Sequence, residues 1–357
     1  MNVRFLSLRN FRSYERQELE FTAGLVAVIG PNGSGKTNLL EALHLAVQGF
    51  PLRTRRDATV IRFGCDAARV EARGFRAGGV AFSATATVGR QQGKQLELDH
   101  GGAVSVDDLR RELCALAFTP DRLAVIKGGP LVRRLYLDRM LGRLNPARAA
   151  VSTGFARVLA QRNAALRRVK AGISSRDALT PWSATLVQLG CDLNAARVDA
   201  VVVLGPPFEE IAQSLGLAGC RILYAPPEIS EAILDARLAR DLERGTTGAG
   251  PHLADLAIER NNRDLRSFGS QGEQRLAVLA LLLAEAHVLA AQRHDPPLLL
   301  LDDVLSELDD SRKQALLTSV PAGSQTIVTS TTLQSFPSAG CQLDQVVDVL
   351  PEQARSR

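Results

Sequence analysis

Aromatic residues make up only 4% of this 357-residue chain. A core of any size must therefore rest on leucine, valine, isoleucine and alanine, which the 45% hydrophobic content supplies. Cysteine is also scarce. Cys65, Cys114, Cys191, Cys220 and Cys341 lie far apart without a C-x-x-C pair. That spacing excludes a zinc ribbon, and an odd number argues against a disulfide framework, so reduced thiols of a cytosolic protein are expected. The five histidines are scattered, and no cluster suits a metal-dependent nuclease. The start, Met1-Asn2-Val3-Arg4-Phe5, has no apolar signal core. The most apolar long stretch, residues 276–291, holds Glu285 and His287, which suits a buried helix better than a membrane span. There is no internal repeat, no low-complexity tract, no helicase motif set and no heptad run long enough for an extended coiled coil.

What is present begins with Gly30-Pro31-Asn32-Gly33-Ser34-Gly35-Lys36-Thr37, directly after the apolar run Leu25–Ile29. This is the G-x-x-x-x-G-K-[ST] phosphate loop in its strand–loop–helix setting. Its glycines let successive backbone N–H groups turn inward toward phosphate oxygens, and the following helix adds a partial positive charge. The chemistry assigns Lys36 to the β- and γ-phosphates of ATP and the Thr37 hydroxyl to Mg²⁺.

The flanks fit an α/β protein. Residues 80–88 alternate apolar with polar, as in a half-exposed antiparallel strand, within a β-rich first hundred residues. Lys36–Gln48 reads as the helix after the loop. Asn145-Pro146 reads as a cap and first turn, opening a helix that runs to Lys170 and stops at Gly172. Residues 181–203 and 276–291 also read as helices, 245–250 as a flexible loop, 298–301 and 325–329 as strands, and 311–318 as a helix. The simplest organisation is one ATP-binding lobe built from both ends of the chain, 1–118 plus 263–357. A mostly helical lobe, 119–262, is inserted between them.

The strand Leu298–Leu301 ends in Asp302-Asp303. In a phosphate-loop ATPase the first acid holds Mg²⁺. The second orients or deprotonates the attacking water. Asp302 is therefore the metal ligand and Asp303, with Lys36, the catalytic candidate. Ser270-Gln271-Gly272-Glu273-Gln274 precedes the strand and Ser306-Glu307-Leu308-Asp309 follows it. This order of motifs resembles the ATP-binding-cassette ATPases. The resemblance implies that Ser270, Gly272 and Gln274 contact the ATP of a second copy, so that two protomers sandwich two nucleotides.

Finer features narrow the likeness. Leu8-Arg9-Asn10-Phe11-Arg12-Ser13-Tyr14 and Asn38-Leu39-Leu40-Glu41-Ala42 resemble the heads of SMC-type ATPases. The runs 268–275 and 302–309 closely resemble the RecF family, which has an SMC-like head and no long coiled coil. That resemblance implies an ATP-driven dimer on DNA with slow, DNA-stimulated hydrolysis. It further implies action in replication, recombinational repair and the SOS response, in which RecR and RecO help load RecA at single-strand gaps. Two departures stand out. No glutamine matches the usual Q-loop. The histidine that transporter ATPases place near the γ-phosphate is replaced by Thr329 or Ser330.

From Arg133 to Arg176 there are eleven basic residues against one acid, Asp138, although the whole chain is only +5. Arg133, Arg134, Arg157, Arg162 and Arg168 are the candidate DNA contacts, with Arg53, Arg55 and Arg56 as an extension. Tyr136 and Phe155 are the stretch's only aromatics, which favours duplex-backbone binding over base stacking. A transporter-powering ATPase and a nucleotide-dependent scaffold that hydrolyses little stay open as alternatives.

Overall fold

The computed structural model describes residues 1–54, 56–99, 101–293, 295–337 and 342–350. Arg55 and Cys341, named above, lie outside these. The chain forms two compact units: residues 1–122, 210–218 and 275–357, and residues 123–209 and 219–274. The signature segment 270–274 thus belongs to the second unit, and a short piece of the middle, 210–218, to the first.

The first unit contains two five-stranded sheets. One is antiparallel and joins β1 (Asn2–Phe11), β2 (Tyr14–Glu20), β4 (Ala67–Phe75), β5 (Ala81–Gly89) and β6 (Gly93–Leu98) in the order β2-β1-β4-β5-β6. Alternation builds it: Phe82, Ala84, Ala86 and Val88 of β5 face the core, as do Ala68, Val70 and Ala72 of β4. The other sheet is parallel. It joins β3 (Leu25–Ile29), β7 (Ala115–Phe118), β11 (Leu298–Leu301), β12 (Thr326–Ser330) and β13 (Gln345–Asp348) in the order β13-β3-β12-β11-β7. All four leucines of β11 are fully buried, which is why this strand is a continuous apolar run and not an alternating one. The helix Lys36–Gln48 packs against strands of both sheets. It buries Leu39, Leu40, Leu43, Ala46 and Val47, each leucine contributing roughly 1.5–3 kcal/mol.

The second unit is mainly helical, with a three-stranded antiparallel sheet of β8 (Cys220–Tyr224), β9 (Leu256–Arg260) and β10 (Arg263–Asp264). Its helices include Pro130–Leu144, Pro146–Lys170 and Leu238–Arg244. Asn145 holds the extended cap conformation, but its side chain makes no capping hydrogen bond; Pro146 supplies the start. The helix expected over 181–203 runs from Thr180 to Ser214, through Pro206 and Pro207. Each proline removes a backbone donor, yet Leu204, Phe208, Ile211 and Ala212 are buried on either side and carry the helix across.

The one helix long and apolar enough to cross a membrane is Gln271–Arg293, among the described residues, and 83% of its apolar window is buried in the protein. Among the described residues, Cys65, Cys114, Cys191 and Cys220 form no disulfide.

Candidate nucleotide site

Strand order assembles the site. β12 lies between β3 and β11, and all three run parallel. Their carboxyl ends therefore bring together the loop after Ile29, Thr329 and Ser330, and Asp302. Crevices at such strand ends are where open α/β sheets bind ligands.

The loop is shaped for an anion. Gly35 has φ +103°, and a β-carbon there would sit 2.8 Å from the Tyr14 hydroxyl, so no other residue fits. Among the described residues no side chain caps the Lys36–Gln48 helix, and its first turn holds no acid. Its free N–H groups and dipole favour a negative ligand. The Ser34 hydroxyl is buried and lacks a hydrogen-bond partner among the described residues. Lys36 donates to the carbonyls of Gly30 (2.6 Å) and Pro31 (2.9 Å). Burial holds its pKa below the ordinary lysine value, against the opposing pull of Asp303 and Asp302.

The Thr37 hydroxyl lies 3.0 Å from each carboxylate oxygen of Asp302. Asp302 also accepts a 2.8 Å hydrogen bond from the Thr329 hydroxyl. Burial raises its pKa; the hydrogen bonds from Thr329 and Thr37 work the other way. A hydroxyl and a carboxylate oxygen so close are the hard donors that Mg²⁺ takes, so the residues present fit that ion. Asp303 is exposed beside them.

Thr329 is the member that sequence reasoning credited only as a stand-in for histidine. Its signal was its place at the end of a buried strand. Arg12 and Arg53 brace the helix that follows the loop. Both donate to the buried carboxylate of Glu41, at 2.9 and 3.0 Å. Burial opposes ionisation of Glu41, but the hydrogen bonds and charges of the two arginines outweigh it and depress its pKa. Arg53 also donates to the Asn38 side chain at 2.6 Å. It thus braces the loop helix, with its side chain still 37% exposed.

The signature turn divides. Ser270 and Gly272 are exposed, and a β-carbon at Gly272 would meet nothing within 4 Å. Ser270 and Glu273 form reciprocal hydrogen bonds, Ser270 N–H to Glu273 (2.8 Å) and Glu273 N–H to the Ser270 hydroxyl (3.3 Å), as in a capping box. Gln274 does not join them at the surface. It is buried, and its amide donates to the Leu265 carbonyl at 2.8 Å, so it braces the turn and is not presented to a second copy.

The expected DNA contacts divide too. Arg133 is buried and forms a two-pronged pair with Asp255 at 2.6 and 2.7 Å. Arg162 is 1% exposed and donates to Asp241 (3.1 Å), Thr247 (2.7 Å) and Ser183 (3.1 Å). Neither guanidinium faces solvent, so both are corrected to internal ion-pair members. Arg134 is half-buried and donates to the Ala254 carbonyl at 2.7 Å. Arg157 and Arg168 are exposed. Asp138, the stretch's one acid, is paired with Arg197.

A family model described as the RecF/RecN/SMC N terminal domain matches residues 2–356. A DNA replication and repair protein RecF from Heliobacterium modesticaldum is 33% identical over 350 residues, 94% of each chain. One of the same name from Anaeromyxobacter dehalogenans is 36% identical over 365 residues, 95% of each chain. A solved structure of the recombination mediator protein RecF-ATP in the RecFOR pathway superposes with a TM-score of 0.84. It is 25% identical and covers 97% of this chain and 95% of that one.

Proposed function

The chain belongs to the RecF/RecN/SMC N-terminal-domain family, and from that premise we propose an ATP-dependent, DNA-binding protein of replication and repair that closes into a dimer on DNA. The observation that carries the proposal is the meeting of Thr37, Asp302 and Thr329 at the mouth of an uncapped phosphate loop. The ATP-bound relative supports the nucleotide. The shared name of the relatives supports the process.

In this reading Lys36 gives up two loop carbonyls for phosphate oxygens, and the helix N-terminus faces the same charge. Thr37 and Asp302 would hold Mg²⁺, which when bound would neutralise phosphate charge. The Asp303 carboxylate, exposed at the mouth, orients the attacking water and takes its proton. Ser270 and Gly272 of one copy cap the nucleotide of the other, so ATP closes the dimer and slow hydrolysis reopens it. Arg157 and Arg168 track duplex phosphates. The reading extends to cooperation with RecR and RecO in loading RecA in the cytoplasm, which membership of the family supports.

Sedimentation with and without ATP–Mg²⁺ and gapped duplex DNA tests this. Wild type is expected to dimerise with ATP and to carry DNA; Lys36→Ala is expected to do neither. A wild-type chain that stays monomeric and ignores DNA refutes the proposal.

A further inference from the structure

Asp303 has φ +48°, a left-handed backbone that a non-glycine residue disfavours. Such strain persists only where neighbouring groups over-determine it, and it gathers at functional sites. Here both of its peptide groups are held by side chains. Its N–H donates to the Thr329 hydroxyl at 2.9 Å. Its carbonyl accepts from Arg275 at 2.6 Å and from the Ser306 hydroxyl at 3.3 Å.

The two main holders are themselves fixed. Thr329 is fully buried, and its hydroxyl donates a hydrogen bond to Asp302. One hydroxyl thus ties the side chain of the first acid to the backbone of the second. Arg275 is buried, pairs with Glu307 at 2.7 Å, and lies over the Phe118 ring at 5.7 Å. It stands on the helix Gln271–Arg293 that opens with the signature turn, and Glu307 follows Asp303 on the next loop.

We propose that Thr329 and Arg275 are positioning residues that clamp the Asp303 backbone in its left-handed kink, so that consecutive acids serve different ends. Asp302 is turned inward to Thr37 while Asp303 is held outward at the mouth of the site. An aspartate has little reach, and the clamp supplies placement that its length does not. The inference rests on the reading of Asp303 given above.

Thr329→Val removes the hydroxyl at nearly constant shape, Thr329→Ser restores it, and Arg275→Lys keeps the charge on Glu307 but loses the fork. Asp303→Asn is the reference. Two readouts are independent: hydrogen exchange of the segment 300–306 in the nucleotide-free full-length chain, and steady-state ATP hydrolysis. Thr329→Val and Arg275→Lys are expected to speed exchange in that segment at least tenfold. Their kcat is expected to fall at least tenfold, with KM for ATP within threefold of wild type. Thr329→Ser is expected within threefold of wild type on both readouts. If Arg275→Lys does not fold, the two Thr329 variants decide.

Thr329→Val with wild-type kcat, alongside an impaired Asp303→Asn, overturns the clamp and leaves the role of Asp303 standing. Thr329→Ser as impaired as Thr329→Val also overturns it. Wild-type turnover in Asp303→Asn removes the role of Asp303 itself, and the inference with it.

Discussion

Replacing Arg162 by alanine distinguishes a structural arginine from a DNA-binding one. The wild-type side chain is 1% exposed, and Asp241, its partner, is fully buried. Truncation leaves that carboxylate with the Gly248 N–H, 3.1 Å away, and opens space where the arginine stem lay. Removing one partner of a buried ion pair costs about 3–5 kcal/mol, because the other charge stays desolvated. At about 2–4 °C per kcal/mol for a domain of moderate size, the second unit is expected to melt roughly 10 °C lower. DNA affinity is then measured against salt well below that melt. Arg162→Ala is expected to keep the wild-type log–log slope. The double variant Arg157→Ala, Arg168→Ala is expected to keep the melting temperature and lose about 1.8 in slope, at roughly 0.9 per phosphate contact. An Arg162→Ala chain that melts with wild type and loses about 0.9 in slope would refute the burial argument.

Three further outcomes are expected. Ser270→Arg places a long charged side chain on an exposed turn; ATP binding by the monomer is retained and the ATP-dependent dimer is lost in sedimentation, and dimers at normal yield would rule out the contact between copies. Asp303→Asn binds ATP, stays dimeric longer and hydrolyses at least tenfold more slowly in a phosphate-release assay, and an unchanged rate counts against the water-positioning role. Glu41→Gln destabilises the chain at neutral pH, because Arg12 and Arg53 lose the carboxylate whose charged form they stabilise. A depressed carboxylate stabilises the fold above its unfolded pKa, about 4.3 for glutamate, and that contribution is lost as pH falls through the lower folded value. The gap between wild type and Glu41→Gln in urea melts should therefore be constant above about pH 5 and close below about pH 4; a gap that widens in acid contradicts the assignment.

Contiguous residues with fixed backbone demands determined much of this protein by themselves. The phosphate loop, the apolar strand before it and the helix Lys36–Gln48 fall where the motif implies. So does the helix Pro146–Lys170 with its proline start, because proline, glycine and hydrophobic period act over one turn of chain. The four-leucine strand ending in two acids was legible for the same reason.

Tertiary structure alone decided what stands opposite each face. Helical period shows which residues share a side, but not whether an acid waits there. Arg162 meets Asp241, 79 positions away, and Arg133 meets Asp255, 122 positions away, so a basic run in sequence became partly a set of internal pairs. Gln274 turned inward, where its amide joins the Gly269 N–H in donating to the Leu265 carbonyl. Thr329 became a bridge between two acids only because β12 lies beside β11. Pairing of strands far apart in the chain puts that hydroxyl within 3 Å of both Asp302 and Asp303, and no local pattern carries that information.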